Sequence, residues 1–272
     1  MTRTATLKVP GATLYYEVLG NGPTLLIIPG GPQDAGVFAE LSAALADRYT
    51  VVAYDPRGNS RTTFDGAPTP LDVSQQADDA AALIAAVGSP AYVLGTSGGA
   101  QIGLDLAVRH AQHVRALVAH EPPTMMLLDD PGPHVAANQA LYDTYMRDGV
   151  DAAMGQFFSA NGLGSDTPPA EVEMPPEAME VFARVSGNFE YWLAHGMIAL
   201  SSYVPDVDAL RASTPRIVVA IGEQSVGQPI HDMSLGLAAR LARDPVMFPG
   251  DHMGFEAMAE PFAEALHRAL QD

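Results

Sequence analysis

Short runs of apolar residues alternate with helical segments along most of this chain, and this alternation is the strongest constraint on its fold. The run Thr24–Ile28 is the clearest case, because a continuous apolar stretch this short is typical of a strand buried on both faces. Comparable runs recur at residues 50–54, 91–95, 114–119, 216–221 and 245–248. Regular exchange of strand and helix predicts the α/β class, with a parallel sheet between two layers of helices.

Two β-rich segments precede the first buried run and complete the predicted sheet. Residues 5–9 and 13–18 are separated by Pro10-Gly11, a pattern that is typical of a β-hairpin. Helices are predicted between the later strands and after the last one, at residues 37–46, 74–87, 98–109, 233–243 and 261–270. We therefore predict a mostly parallel, eight-stranded sheet flanked by helices.

The alternation stops at Pro122-Pro123 and resumes only near residue 205. In between, the pattern predicts helices at residues 138–146, 151–158, 177–185 and 190–200, interrupted by Pro168-Pro169 and Pro175-Pro176. This region holds seven of the twelve methionines and the only tryptophan, Trp192. Adaptable thioether side chains suit an apolar substrate surface, although they fill a helical core equally well. We predict a helical lid at residues 123–204, inserted after the sixth strand, between core parts at residues 1–122 and 205–272.

Charge and the lack of cysteine exclude several classes of function. Fourteen basic against 32 acidic residues give a formal net charge of −18, which repels nucleic acid and anionic membranes. Without cysteine there are no disulfides, thiolate metal sites or cysteine nucleophiles. The amino terminus has no apolar signal segment, and no apolar run is long enough to span a membrane. We therefore expect a cytoplasmic protein, monomeric or homodimeric, that acts on a small molecule without nucleic-acid or membrane partners.

The sequence Gly95-Thr96-Ser97-Gly98-Gly99 matches the nucleophile-elbow pattern Gly-x-Ser-x-Gly. This sharp turn strains the serine backbone, and its neighbours must be small to avoid the adjoining strand and helix. The motif lies between an apolar strand and a helix, which is the context that the mechanism requires. These features predict Ser97 as a nucleophile; the alternative is a glycine-rich turn with an ordinary helix-capping serine.

A serine hydroxyl needs a neighbouring base to remove its proton, and eight histidines are available. His252 follows the last predicted strand on a glycine-flanked loop, at the carboxyl edge of the sheet. Catalytic groups gather at this edge in open parallel sheets, so we predict His252 as the base. The other histidines lie in or beside helices, except His120, which points to the far side of its strand and is predicted to be structural.

The carboxylate that orients the imidazole has two candidates. Glu121 follows the strand at residues 114–119, beside the same edge, and a carboxylate there can reach the histidine. Glu223 lies in the loop after the next strand, where many such sheets carry their acid, but Ser225 stands at the position where aspartate is often found. We favour Glu121 over Glu223.

Acyl transfer also needs hydrogen-bond donors for the developing oxyanion. The N–H of Gly98, at the amino terminus of a helix, is one candidate. The second is expected in the loop Pro29-Gly30-Gly31-Pro32, where Pro32 has no N–H and Gly30 forms the turn. This reasoning leaves Gly31 as the second donor, unless the loop is only a tight turn.

Taken in order, four motifs resemble the α/β-hydrolase superfamily: Pro29-Gly-Gly-Pro32, Asp55-x-Arg57-Gly58, Gly95-x-Ser97-x-Gly99 and Gly250-Asp-His252. The resemblance covers nearly the whole chain outside the predicted lid. The Gly-Gly-Pro loop is similar to that of proline iminopeptidases, and Pro29 stands where the family usually has histidine. An acid at Glu121 resembles certain haloalkane dehalogenases, but those enzymes use an aspartate nucleophile, and Ser97 argues against their chemistry.

The residues and the resemblance together imply a serine hydrolase that cleaves a small or medium apolar ester or lactone, without metal or organic cofactor. An aminopeptidase of the proline-iminopeptidase type is the nearest alternative; the lids of those enzymes hold a substrate's amino terminus with acidic residues. The others are a carbon–carbon bond hydrolase or natural-product cyclase and a non-catalytic binding protein, because one fold supports many functions.

Overall fold

Nine strands form one sheet within residues 2–161 and 175–271, the part of the chain that the computed structural model describes. Their order is β1-β2-β4-β3-β6-β7-β8-β9, with β5 paired to β2. The strands are β1 (Arg3–Val9), β2 (Ala12–Gly20), β3 (Thr24–Ile28), β4 (Thr50–Tyr54), β5 (Thr63–Phe64), β6 (Ala91–Thr96), β7 (Val114–His120), β8 (Arg216–Gly222) and β9 (Val246–Phe248).

Strands β1, β2, β4 and β5 form the antiparallel part of the sheet, and from β4 onward each neighbouring pair is parallel. The predicted mostly parallel sheet is therefore confirmed, with β5 as an additional strand. A two-residue strand leaves no periodic pattern in the sequence, which explains why it was missed. Because parallel strands end at the same edge, the loops that follow β3, β6, β7, β8 and β9 meet there.

Helices cover both faces of this sheet. They are α1 (Ala39–Leu45), α2 (Val73–Val87), α3 (Gly98–Arg109), α4 (Gly132–Asp148), α5 (Val150–Ala160), α6 (Pro176–Gly187), α7 (Phe189–Tyr191), α8 (Met197–Ser201), α9 (Val207–Ala212), α10 (Pro229–Leu241), α11 (Gly254–Ala257) and α12 (Ala259–Gln271). Short 3-10 turns occupy Ala35–Phe38, Ala111–His113 and Met125–Leu127. Apolar side chains of α2, α3 and α10 pack on one face, and those of α1 and α12 pack on the other.

Helices α4 to α8 lie between β7 and β8 in the chain, and a π-helical turn at Trp192–Gly196 joins α7 to α8. Helices α4, α5 and α8 and the π-helical turn share a small apolar cluster, formed by Leu141, Ala153, Met154, Trp192, Leu193 and Met197. Pro175 directly precedes α6, whereas the predicted break at Pro168-Pro169 lies outside the described residues. Across residues 2–161 and 175–271, no helix combines the length and the apolar character needed to cross a membrane.

Candidate active site

Ser97 occupies the sharp turn between β6 and α3. Its backbone has φ 52° and ψ −124°, a conformation that strains any residue with a β-carbon. A β-carbon on Gly95 would lie 2.5 Å from the Gly99 carbonyl oxygen, and one on Gly99 would lie 2.1 Å from the Ile28 carbonyl oxygen. Both positions therefore require glycine, for the reason expected from the Gly-x-Ser-x-Gly pattern. The Ser97 side chain is half-buried and lines a cavity.

His252 and Glu121 form a hydrogen-bonded pair at the same edge of the sheet. The Nδ1 atom of His252 lies 2.7 Å from Oε2 of Glu121, and Oε1 of Glu121 accepts a hydrogen bond of 2.8 Å from the Gly222 N–H. Glu121 is fully buried directly after β7, whereas the His252 side chain is 18% exposed on the loop after β9. Burial alone would raise the pKa of Glu121, but the hydrogen bond from His252 is the largest of the effects that outweigh burial and lower it.

Glu223, the other candidate for the acid, has an exposed side chain. Its backbone N–H donates a hydrogen bond of 2.9 Å to the Phe248 carbonyl oxygen, which ties the loop after β8 to the end of β9. Ser225 is fully buried in this loop, and its hydroxyl has no hydrogen-bond partner among the described residues. Of the two predicted acids, the structure brings Glu121 to His252 and leaves Glu223 at the surface.

His120 is the last residue of β7 and packs beside this pair. It is fully buried, and neither ring nitrogen has a hydrogen-bond partner among the described residues. Its ring centroid lies 5.1 Å from that of Phe262, 6.0 Å from that of Phe248 and 6.4 Å from that of His252. Burial lowers the pKa of His120 to about 4, so the ring is a neutral imidazole in an apolar environment at neutral pH.

The loop after β3 brings the Gly31 N–H close to the turn that carries Ser97. Gly31 has φ +44°, and the N–H of Gln33 donates a hydrogen bond of 3.0 Å to the Gly30 carbonyl oxygen, closing a tight turn. The Gly30 N–H donates to Oε1 of Gln33 (3.1 Å), whereas no described residue accepts a hydrogen bond from the Gly31 N–H. A β-carbon on Gly98 would lie 3.6 Å from the Gly31 nitrogen, so the two predicted oxyanion donors are neighbours.

A cavity of about 410 Å³ opens beside Ser97 and His252. Helices α5 and α6 and the segment through α7 to the π-helical turn supply much of its apolar wall, with Met154, Phe157, Phe158, Phe182, Phe189 and Trp192. The described residues that line it include no Asp, Glu, Lys or Arg. The indole N–H of Trp192 is buried and has no hydrogen-bond partner within the described chain. Such a cavity suits an uncharged, mostly apolar ligand that carries few polar groups.

The described residues include no group of three or more His, Asp or Glu side chains placed to hold a metal ion.

Ser97, His252, Gly31 and Gly98 all line the one cavity described above, and Glu121 contacts it through His252. The structure therefore brings every favoured site residue to one edge of the sheet.

Sequence reasoning missed three polar residues that hold the loop after β3: Gln33, Asn59 and Asn188. Gln33 and Asn59 directly follow the Gly-Gly-Pro and Arg57-Gly58 motifs, so their position beside those motifs was an available signal. Asn188 lies 156 residues away from the carbonyl that it binds, and no local pattern in the sequence marks it.

Comparison with known proteins identifies the family of this chain. The profile of a family described as "alpha/beta hydrolase fold" matches residues 23–168. The chain is 33% identical to the uncharacterized hydrolase YraK of Bacillus subtilis (strain 168), over 98% of this chain and 95% of that protein. It is 25% identical to the zearalenone hydrolase of Bionectria ochroleuca, over 100% of this chain and 99% of that protein.

Among solved structures, the enol-lactonase from Burkholderia xenovorans LB400 matches with a TM-score of 0.72 at 18% identity. That match covers 98% of this chain and 100% of the enol-lactonase, and it shows a common fold. With a family profile that spans more than half of its length and full-length relatives that are hydrolases, the chain belongs to the α/β-hydrolase family and is a hydrolase.

Proposed function

We propose that this hydrolase is a serine hydrolase that cleaves a small or medium apolar ester or lactone through an acyl-enzyme. One observation carries the proposal: a strained, half-buried serine and a histidine held by a buried carboxylate line the same uncharged cavity. A nucleophile, its base and the group that orients the base are the three parts that acyl transfer by serine requires.

In the proposed reaction, the Ser97 hydroxyl attacks the carbonyl carbon of the substrate. The Nδ1 atom of His252 is occupied by Glu121, so Nε2 is the nitrogen that takes the serine proton and later gives it to the leaving alcohol. Glu121 stabilises the imidazolium formed in this step. Water then attacks the acyl-enzyme with His252 as base, which releases the acid and restores the serine.

The N–H groups of Gly31 and Gly98 are the proposed donors to the tetrahedral oxyanion. Gly98 lies in the first turn of α3, where N–H groups have no intrahelical acceptor and the helix dipole favours negative charge. The Gly31 N–H has no acceptor among the described residues. Two preorganised donors beside the reacting carbonyl are expected to supply a large part of the rate enhancement.

The character of the cavity supports the substrate class. Its volume of about 410 Å³ lies in the lower part of the range for small-molecule sites, and the described walls carry no fixed charge. An aminopeptidase would need a carboxylate to hold the substrate's ammonium group, and no Asp or Glu is present among the described lining residues. The names of an enol-lactonase and a zearalenone hydrolase among similar proteins agree with an ester or lactone substrate. We propose that helices α4 to α8 act as the lid over this cavity.

Labelling by a fluorophosphonate probe, read by intact mass, tests the nucleophile. The wild type is expected to gain one adduct and Ser97→Ala none. Ser186→Ala is a matched control, because Ser186 also lines the cavity, and it should be labelled like the wild type. An unlabelled wild type would contradict the serine-hydrolase proposal and favour a binding protein on the same fold.

Substrate class is tested with p-nitrophenyl esters of two to eight acyl carbons, simple lactones and amino-acid p-nitroanilides. We expect turnover of the esters or lactones, all of it lost in Ser97→Ala. A clear preference for the anilides would overturn the ester or lactone assignment while leaving the nucleophile in place.

A further inference from the structure

The loop that carries Gly31 is held by side-chain amides from two distant parts of the chain. Asn59, on the loop after β4, donates from Nδ2 to the carbonyl oxygens of Gly31 (3.1 Å) and Gln33 (2.8 Å). Asn188, between α6 and α7, donates from Nδ2 to the carbonyl oxygen of Pro32 (2.8 Å). Three consecutive carbonyl groups therefore accept hydrogen bonds from two asparagines, which are only 4% and 5% exposed.

The Asn188 contact lies at the start of a chain of hydrogen-bonded peptide groups. The peptide group whose carbonyl oxygen belongs to Pro32 has its N–H at Gln33, and that N–H donates to the Gly30 carbonyl oxygen (3.0 Å). The peptide group of the Gly30 carbonyl has its N–H at Gly31. Two peptide planes thus connect the Asn188 amide to the Gly31 N–H, and hydrogen bonds aligned in this way polarise one another.

The orientation of the Asn188 amide is also determined. Its Oδ1 accepts a hydrogen bond of 2.7 Å from the backbone N–H of Ser60, which requires an oxygen at that position. The Nδ2 group is therefore the one that faces Pro32, and its second hydrogen bond goes to the Ser60 hydroxyl (2.9 Å). The amide is held at both ends, so it presents its donor to the loop in one fixed direction.

We propose that Asn188 is a positioning residue for the oxyanion site. Through this side chain, helices α4 to α8, which are inserted between β7 and β8, orient and polarise the Gly31 N–H. The proposal rests on the proposed serine-hydrolase function. A glycine-containing turn has other accessible conformations, because rotation of a peptide plane beside glycine meets little steric resistance. Removal of the Asn188 donor leaves the plane between Pro32 and Gln33 held at its Gln33 N–H alone. The plane between Gly30 and Gly31, which accepts that hydrogen bond and has glycine on both sides, is then held less firmly, and the Gly31 N–H is less precisely directed.

Asn188→Asp is the sharpest test of this role. One carboxylate oxygen still accepts from the Ser60 N–H, whereas the other faces the Pro32 carbonyl oxygen without a hydrogen. Loss of a single oxyanion donor lowers kcat by about 100- to 1000-fold, and a misaligned donor should cost part of that. We expect kcat for a p-nitrophenyl ester and the fluorophosphonate labelling rate at Ser97 each to fall by about 10- to 100-fold. KM should stay within about threefold of the wild-type value, because the interaction acts on the tetrahedral state.

Tyr191→Phe is the matched control for a merely structural contact. Tyr191 lies three residues further on, and its hydroxyl donates a hydrogen bond of 2.9 Å from the same helical segment to the carbonyl oxygen of Thr69. Its removal deletes one contact between the inserted helices and the core without touching the Gly31 loop. We expect kcat and the labelling rate of Tyr191→Phe to stay within about threefold of the wild-type values.

The proposal is overturned if kcat and the labelling rate of Asn188→Asp stay within about threefold of the wild-type values, or if this variant changes only KM. It is also overturned if kcat and the labelling rate of Tyr191→Phe fall as much as those of Asn188→Asp. If Asn188→Asp does not yield folded protein, Asn188→Ser is tested by the same criteria, because the serine hydroxyl is too short to reach the Pro32 carbonyl oxygen. A wild type that is not labelled at Ser97 removes the proposed function and this role together. Normal wild-type labelling with unaffected Asn188 variants removes the positioning role alone.

Discussion

Mild acid is expected to destabilise this protein through His120. Burial lowers the pKa of this imidazole to about 4, whereas the same group in the unfolded chain titrates near 6.5. Between these two values the unfolded state binds more protons than the folded state, so the free energy of unfolding decreases as the pH falls. The full effect of a shift from 6.5 to about 4 is about 3 kcal/mol, of which about 2 kcal/mol is already lost at pH 5.

The perturbation that isolates this effect is His120→Phe. The ring lies among Phe262, Phe248 and Phe255, and neither of its nitrogens has a partner in the described chain, so an apolar ring suits the position. Urea unfolding, followed by the fluorescence of Trp192, gives the free energy of unfolding of both proteins at pH 7.5, 6 and 5. The absolute stability of the variant depends on how well the larger ring packs, but its dependence on pH does not.

We expect the wild type to lose about 2 kcal/mol more than His120→Phe between pH 7.5 and pH 5. The seven other histidines are common to both proteins, so their contributions largely cancel in the comparison. Parallel pH dependences would refute the reasoning, because they would mean that His120 takes up its proton equally in the folded and unfolded states.

Glu121→Gln should lower kcat for an ester by about 10³- to 10⁴-fold in steady-state assays, because the imidazolium loses its counter-charge. Glu223→Gln should leave kcat unchanged, because this side chain lies at the surface. The reverse result would identify Glu223 as the acid. Gly30→Ala should abolish esterase activity, because its β-carbon would lie 2.5 Å from a backbone oxygen and 2.7 Å from the β-carbon of the nucleophile. Gly155→Ala, in open space on α5, should instead raise the free energy of unfolding by about 0.5–1 kcal/mol. Asp79→Asn should destabilise the protein by about 3–5 kcal/mol in urea unfolding, because it leaves a buried arginine without its counter-charge; a loss below about 1 kcal/mol would contradict this.

Much of the core architecture was predictable from the sequence, because a strand buried on both faces must be apolar at nearly every position. The runs at β3 and β4 show this directly, since nearly all of their residues are buried. Helix starts were harder to predict from the sequence. Helix α10 begins at Pro229 instead of the predicted residue 233. Proline usually indicates the end of a helix, but it is tolerated in the first helical turn. Helix α9, with six residues after the capping Asp206, is too short to show a period.

Within the site, the residues that belong to local motifs were predictable, and those that act through tertiary contacts were not. Ser97 and His252 were identified from the strand-to-loop positions at which they occur. Glu121 could be placed beside them because the order of parallel strands determines which loops meet at one edge. Asn188 could not be placed at the site from the sequence, because its contact with the Pro32 carbonyl depends on how helices α4 to α8 pack against the rest of the chain.

The loop after β8 carries no carboxylate for His252, because Glu121 reaches that histidine from the neighbouring strand. The end of β8 supplies the Gly222 N–H, and the loop carries the buried Ser225 and leads into Gln228, Pro229 and Ile230, which line the cavity. The segment at residues 226–230 is therefore available for evolutionary or laboratory redesign of ligand size and shape. Exchanging it would reshape one wall of the cavity while Glu121 and His252 stayed in place on other segments of the chain.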